Sequence, residues 1–257
     1  MTPAKRKFRR RGIFLLPNLF TTAALFAGFY SIVAAVDGNF QKAGAAIFIA
    51  MVLDGIDGRV ARLTDTSTQF GKEYDSLSDM VSFGLAPAVV VYQWGVARLA
   101  EWNVAWGRVG WLVAFLFAVA AALRLARFNA QAATTSKRFF VGLPSPSAAG
   151  LVAAFVWFSS DLDLAGLGGL ALAFVVTAAA GALMVSRFRY YSFKEVNLGQ
   201  RIPFTYLVGI VLIFILISLD PPIVLLIMFS SYAASGPIYW LWRKRMVRPT
   251  SGSDNAG

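Results

Sequence analysis

Four aspartates form two pairs whose spacing suits one face of a helix. The first pair is Asp54 and Asp57, three residues apart, and the second is Asp75 and Asp79, four apart. Side chains at these spacings lie on the same side of an α-helix. Residues 64–71 between the pairs are polar and end in glycine, which predicts a turn. Two antiparallel helices joined there would bring all four carboxylates together, each within roughly 12 Å of the turn.

Such a cluster predicts metal-assisted chemistry. Four carboxylates in one small volume repel one another unless they keep protons or bind cations. Their hard oxygen ligands favour Mg²⁺ or Mn²⁺, with Ca²⁺ as an alternative. Two close ions would suit phosphoryl transfer, because they polarise phosphate oxygens and activate a hydroxyl. Gly55 and Gly58 leave the helix surface bare for a ligand, and Arg62 can hold a phosphate from about the same side.

The alternative interpretation of this acidic stretch is a charged cytoplasmic loop. Six of the 13 acidic residues fall between positions 54 and 79, and we favour the loop interpretation for Asp65 and Glu73. The chain has no cysteine and no histidine, which excludes thiolate nucleophiles, imidazole bases and Cys/His zinc sites. Acid–base and metal chemistry must therefore come from carboxylates, hydroxyls, Lys or Arg.

The elements that must position these carboxylates are strongly apolar. Hydrophobic residues make up 58% of the chain and charged residues 14%, which is too apolar for a soluble domain. Continuous apolar runs of about 20 residues are each long enough to cross a bilayer as a helix. We predict an all-α polytopic membrane protein with about eight spans, at residues 13–35, 43–63, 76–97, 106–127, 144–160, 164–186, 204–219 and 222–242.

The basic residues predict the orientation of these spans. Of the 24 Lys and Arg residues, 21 lie at five alternate junctions, which places both termini and the aspartate pairs on the cytoplasmic side. Six spans would also place both termini on the cytoplasmic side, but would force two blocks of basic residues into the lipid. The net charge of +11 therefore indicates membrane topology rather than binding to nucleic acid.

We expect three segments along the chain. Residues 1–12 form a basic cytoplasmic N-terminus, residues 13–245 a single transmembrane catalytic domain, and residues 246–257 a polar tail that we predict to be disordered. A basic start followed by an apolar run is also typical of signal peptides. The first run is long and has no clear small-residue cleavage site, which favours a retained helix.

The aspartates and their neighbours fit the pattern D-x2-D-G-x2-A-R-x8-G-x3-D-x3-D at every spacing. This pattern resembles the signature of the CDP-alcohol phosphotransferase family. The resemblance implies a homodimeric membrane enzyme in which Asp54, Asp57 and Asp75 bind two metal ions. It also implies that Asp79 touches metal and acts as the general base. The residues that it places around the CDP group of CDP-diacylglycerol are Asn18, Thr21, Gly58, Ala61, Arg62, Thr68 and Gly71. For Asn18, a helix start near the membrane interface is the alternative.

Within the family, residues 13 to about 200 resemble the bacterial-type phosphatidylserine synthases. The likeness includes the segments LLPNLFTTAALFAGFYSI, RLARFN and FVGLPSPSAAG. It implies that CDP-diacylglycerol and L-serine react to give phosphatidylserine and CMP. It also implies a bacterial inner-membrane location among membrane lipids, with the active site facing the cytoplasm.

Serine is a zwitterion, and its carboxylate requires a cationic or multidentate donor. Arg124 and Arg127 are three residues apart near the cytoplasmic end of the fourth span, close to Asn129. We predict that they bind serine or a substrate phosphate, with Lys137 and Arg138 as weaker candidates. The alternative is that these basic residues only anchor the spans at the cytoplasmic surface.

Three rival functions remain at this level. Another acceptor, such as glycerol 3-phosphate or inositol phosphate, would require more cationic contacts. An ion-coupled transporter would require charges distributed across the bilayer, whereas these aspartates cluster at one side. A non-catalytic scaffold gives no reason for four converging aspartates.

Overall fold

The computed structural model describes residues 3–64, 68–95, 104–131, 139–164, 166–191 and 204–246. Most of these residues are helical, and two short strands pair with each other. The helices are α1 (Pro3–Val36), α2 (Phe40–Leu63), α3 (Gln69–Asp79), α4 (Ala86–Trp94), α5 (Val104–Gln131), α6 (Ser145–Asp161), α7 (Leu167–Val185), α8 (Phe204–Leu219) and α9 (Pro221–Met246). The strands are β1 (Phe139–Val141) and β2 (Arg189–Tyr191).

Every apolar stretch that the sequence predicts overlaps a helix. Among the described residues, four stretches are long and apolar enough to cross a bilayer: Pro17–Val36, Gly107–Ala130, Leu167–Val185 and Pro221–Lys244. These helices support a polytopic membrane protein, while eight spans and cytoplasmic termini stay predictions. Helix α1 begins at Pro3 rather than near residue 13, because Lys and Arg are good helix formers that extend the helix beyond its apolar part.

The third predicted stretch is a composite helix. Helix α3 ends at Asp79, a π-helical segment runs from Met80 to Leu85, and α4 continues from Ala86. Wide π-helical turns within α-helices are frequent at functional sites. Here the turn follows directly after one of the four aspartates, so that the helix changes its winding at the edge of the acidic cluster.

The core lies around α6, which packs against α2, α4, α7 and α9. Many of its residues are buried, including Ala148, Ala149, Ala153 and Ala154. These small side chains let neighbouring helices approach closely. Helix α1 packs along α2 and also contacts α3 and the π-helical segment, so that it adjoins both acidic helices.

The two strands are an addition to the all-α fold that the sequence predicts. They pair antiparallel with Phe140 opposite Tyr190. The Tyr190 hydroxyl donates to the Ala233 carbonyl of α9 at 3.0 Å. Burial raises the pKa of Tyr190 to about 12, so the hydroxyl keeps its proton at neutral pH. This contact links the two-stranded sheet to α9.

One buried hydroxyl in α6 gives a stability prediction. Ser159 is fully buried, and its Oγ has no hydrogen-bond partner among the described residues. An unsatisfied buried polar group destabilises the fold. We expect Ser159→Ala to raise the free energy of unfolding by about 1 kcal/mol, measured as a higher thermal midpoint in detergent.

The matched control is Ser31→Ala. Ser31 is equally buried, but its hydroxyl donates to the Ala43 carbonyl at 2.7 Å. This variant should unfold at a lower temperature than the wild type, because a satisfied hydrogen bond is lost. A lower midpoint for Ser159→Ala would contradict the prediction.

Candidate active site

The acidic cluster forms where α2 and α3 approach each other. Asp54 and Asp57 lie in the last turns of α2, and Asp75 and Asp79 lie in α3. Carboxylate oxygens of Asp54, Asp57 and Asp75 lie within 4.8 Å of one another. Asp79 is an electrostatic neighbour of Asp54 and Asp75. Three of the four carboxylates therefore converge as predicted, and a place for Asp79 in the same metal site stays a prediction.

The donor set of this cluster fits a hard divalent cation. Mg²⁺ binds oxygen at roughly 2.1 Å and Ca²⁺ at roughly 2.4 Å, so ligands on opposite sides of one ion lie about 4 to 5 Å apart. The oxygens of Asp54, Asp57 and Asp75 meet this requirement with little movement. All three are acidic oxygen donors, which these ions prefer.

Helix α1 also contacts the acidic cluster, through Thr21. Its Oγ1 donates to Asp57 Oδ2 at 2.7 Å and lies 3.1 Å from the Pro17 carbonyl oxygen. Thr21 is also one of the residues that the family resemblance places near the nucleotide. That role stays a prediction, while the structure adds a direct contact to the aspartate cluster that the sequence pattern does not indicate.

The start of α3 gathers three of the predicted nucleotide-binding positions. Thr68 caps the helix, and its Oγ1 accepts a hydrogen bond from the Gly71 backbone N–H at 3.0 Å. A Cβ atom at Gly71 would lie 3.5 Å from Asn18 Oδ1 and 3.2 Å from Thr68 Oγ1. Asn18, Thr68 and Gly71 therefore adjoin one another, and glycine keeps the space between them open.

The surface of α2 beside its two aspartates carries no side chain at two glycine positions. A Cβ atom at Gly55 or Gly58 would meet no other atom within 4 Å among the described residues. Ala61 is half-buried one turn further on. The side chain of Arg62 and all of Asp65 lie outside the described part of the chain, so the phosphate contact predicted for Arg62 stays a prediction.

Arg124 reaches the acidic cluster from α5. Its guanidinium interacts electrostatically with Asp79 and donates to Ser145 Oγ at 2.7 Å. It also lies 6.0 Å from the centre of the Phe128 ring. The hydroxyl of Tyr232 on α9 is a further electrostatic neighbour. A cation held at this place can balance part of the negative charge of the aspartates.

Two of the other predicted acceptor-binding residues, Asn129 and Arg127, lie among the described residues. Asn129 donates to Ser76 Oγ at 2.9 Å, across a cleft of about 290 Å³ between α3 and α5. Arg127 is half-buried. Lys137 and Arg138 fall outside the described residues.

Sequence reasoning missed two residues around Arg124. Ser145 stands between two prolines in the quoted FVGLPSPSAAG segment, and its place at the first turn of α6 next to Arg124 follows only from the fold. Tyr232 lies in α9, which has no motif that could have indicated it. Its hydroxyl donates to the Tyr191 carbonyl at 3.0 Å, which holds the ring beside strand β2.

Sequence comparisons relate this chain to known proteins. The family model for CDP-alcohol phosphatidyltransferase matches residues 14–186. The CDP-diacylglycerol–serine O-phosphatidyltransferase of Helicobacter pylori (strain ATCC 700392 / 26695) is 37% identical over 234 residues, which cover 90% of this chain and 92% of that protein. The archaetidylserine synthase of Methanothermobacter thermautotrophicus is 34% identical over 179 residues, 68% of this chain and 69% of that protein.

A further relative matches a shorter part of the chain. The CDP-diacylglycerol–serine O-phosphatidyltransferase of Mycobacterium tuberculosis (strain ATCC 25618 / H37Rv) is 42% identical over 147 residues, 54% of this chain and 49% of that protein. The family match contains all four clustered aspartates and spans more than half of the sequence. This protein therefore belongs to the CDP-alcohol phosphatidyltransferase family.

Proposed function

We propose that this protein transfers a phosphatidyl group from CDP-diacylglycerol to the hydroxyl of L-serine, giving phosphatidylserine and CMP. The observation that carries the proposal is the convergence of Asp54, Asp57 and Asp75, with Asp79 beside them, in a member of this family. The relatives' names agree on serine and differ in the lipid. They therefore support the acceptor more strongly than the lipid that carries the CDP group.

The four aspartates would hold two divalent cations, Mg²⁺ or Mn²⁺. When bound, such ions would neutralise negative charge on the diphosphate and on the leaving CMP. The bare surface at Gly55 and Gly58 would let the diphosphate approach α2 closely. Asn18 and Thr68 would contact the nucleotide. The Thr68 hydroxyl accepts a hydrogen bond from the Gly71 backbone N–H, so its own proton could be donated to the nucleotide.

Asp79 would act as the general base. In the proposed step, the serine oxygen forms a bond to the lipid-linked phosphorus as its proton moves to the Asp79 carboxylate. The bond between that phosphorus and the bridging oxygen breaks, and CMP leaves with the electron pair. The Asp79 carboxylate lies next to Arg124 of α5. This position suits a serine molecule that binds between α3 and α5.

Arg124 is the best-supported ligand for the carboxylate of serine. A guanidinium binds a carboxylate through paired, charge-assisted hydrogen bonds. The contact with Ser145 holds Arg124 beside Asp79, so that one acceptor molecule could meet both residues. Arg127, Asn129, Lys137 and Arg138 stay as further predicted contacts to serine or phosphate.

The membrane arrangement is part of the same proposal. A homodimer in a bacterial inner membrane, with the aspartates at the cytoplasmic boundary, would admit serine from water and CDP-diacylglycerol from lipid. The alternating basic junctions support this orientation.

An acceptor panel tests the proposed reaction. Purified protein in nanodiscs is given CDP-diacylglycerol and Mn²⁺ with L-serine, glycerol 3-phosphate, inositol phosphate or ethanolamine, and CMP release is measured. We expect release with L-serine and little with ethanolamine, which keeps the hydroxyl and amine but lacks the carboxylate. CMP release with a phosphorylated acceptor and none with serine would reject serine as the acceptor. No CMP release with any acceptor would reject the proposed transferase activity.

A further inference from the structure

Thr21 contacts both acidic helices although it lies on neither. Its side-chain Oγ1 donates to Asp57 Oδ2 of α2 at 2.7 Å. Its backbone carbonyl accepts a hydrogen bond from Ser78 Oγ of α3 at 3.2 Å. Ser78 directly precedes Asp79 in the chain. One residue of α1 is therefore bonded to both sides of the aspartate cluster.

These contacts are shielded from water. Thr21 is 4% exposed, Ser78 3% and Asp57 5%. Water therefore competes weakly for the Asp57 carboxylate, and a charge-assisted hydrogen bond is stronger than a neutral one. The Thr21 hydroxyl has a single proton, and the contact with the carboxylate is shorter than that with the Pro17 carbonyl. The hydroxyl thus restricts the rotation of the Asp57 carboxylate.

The packing of α1 against the composite helix has other supports. Ser82 Oγ donates to the Ala24 carbonyl at 3.2 Å. At Gly28 a Cβ atom would lie 2.7 Å from the Ser82 Cα, so the two backbones touch there. Ala24 and Gly28 continue the contact line that starts at Thr21, and none of these contacts uses the Thr21 hydroxyl. Loss of that hydroxyl should therefore leave the helices in place.

We propose that Thr21 is a positioning residue of the metal site, whose hydroxyl orients the Asp57 carboxylate toward a bound cation. A group that hydrogen-bonds a metal-binding carboxylate fixes its orientation, and its loss typically weakens metal binding by about 10- to 100-fold. The inference rests on the proposed function, since it requires a cation at the aspartate cluster. It gives Thr21 a task distinct from contact with the nucleotide.

The experiment measures Mn²⁺ binding to purified protein in nanodiscs without substrate, with free Mn²⁺ quantified by electron paramagnetic resonance. Thr21→Val keeps the shape of the side chain and removes the hydroxyl, and its Kd for Mn²⁺ should rise about 10-fold or more. Thr21→Ser keeps the hydroxyl and should bind within about threefold of the wild type. The control is Thr177→Val, because Thr177 is 1% exposed and its hydroxyl donates within α7 to the Ala173 carbonyl at 2.7 Å.

Each outcome decides between the hypotheses. Weak Mn²⁺ binding by Thr21→Val alone supports the inference. Unchanged binding by Thr21→Val would overturn it, as would equal losses in Thr21→Ser or in Thr177→Val, since these would indicate packing rather than a hydrogen bond. A wild-type protein that binds no Mn²⁺ would overturn the metal site of the proposed function as well, which separates the two failures.

Discussion

Replacement of Asp79 by asparagine should lower serine-dependent CMP release by about 10³-fold, the scale of a lost general base. Asparagine has nearly the same shape but accepts no proton from the serine hydroxyl. The variant should stay folded, because Asp79 lies against Asp54 and Asp75 and its neutralisation relieves repulsion between carboxylates in the metal-free protein. We therefore expect a thermal midpoint no lower than that of the wild type.

Glu73→Gln is the matched control for this variant. Glu73 lies on the same helix but is exposed, and its carboxylate accepts a hydrogen bond from Gln69 at 2.6 Å. This change should leave turnover close to the wild-type value. The assays are run at saturating Mn²⁺, so that a weaker metal site does not imitate the loss of a base. Near-normal turnover of Asp79→Asn under these conditions would reject the base assignment.

Removal of divalent metal should abolish CMP release, a loss on the order of 10³-fold or more. The physical reason is that the Asp54, Asp57 and Asp75 oxygens lie within 4.8 Å of one another and would face an anionic diphosphate. Without cations, the repulsion would oppose both substrate binding and the charge that develops on CMP. The measurement is CMP release with excess EDTA, followed by titration with Mg²⁺ or Mn²⁺, which should restore activity.

A pair of variants shows that the aspartate cluster is the place where the metal acts. Asp57→Asn should raise the Mn²⁺ concentration needed for half-maximal activity by about 10-fold or more. Asp161→Asn is the control. Asp161 is the exposed last residue of α6, and its carboxylate accepts a hydrogen bond from Gln41 at 2.6 Å. Undiminished CMP release in excess EDTA would remove the metal from the mechanism, whatever the two variants show.

The arrangement of the aspartates could be predicted because it depends on local geometry. A spacing of three or four residues places two side chains on one helix face. A polar stretch that ends in glycine predicts the turn that brings the pairs together. The structure confirms a break between the two helices, since α2 ends at Leu63 and α3 begins at Gln69, so that residues 69–71 of the predicted turn are helical instead. Residues 65–67 lie outside the described part of the chain. The structure also confirms that the carboxylates of Asp54, Asp57 and Asp75 converge.

The contacts between helices that are distant in sequence could not be predicted in this way. The hydrogen bond from Thr21 to Asp57 joins residues 36 positions apart, and that from Arg124 to Ser145 joins residues 21 apart. The π-helical turn after Asp79 contains Ser82, which packs closely against Gly28 of α1. The pairing of β1 with β2 likewise joins segments about 50 residues apart, and Tyr190 of β2 contacts α9.

Sequence alone was thus enough for the apolar helical class, the acidic pairs and the chemistry that carboxylates without histidine or cysteine can perform. These properties follow from composition and from the helical repeat, which act over a few residues. The tertiary structure decided which side chains hold the aspartates in place, because a hydroxyl or guanidinium has no preferred partner until packing brings one within about 3 Å. It placed Thr21 against Asp57 and Arg124 beside Asp79.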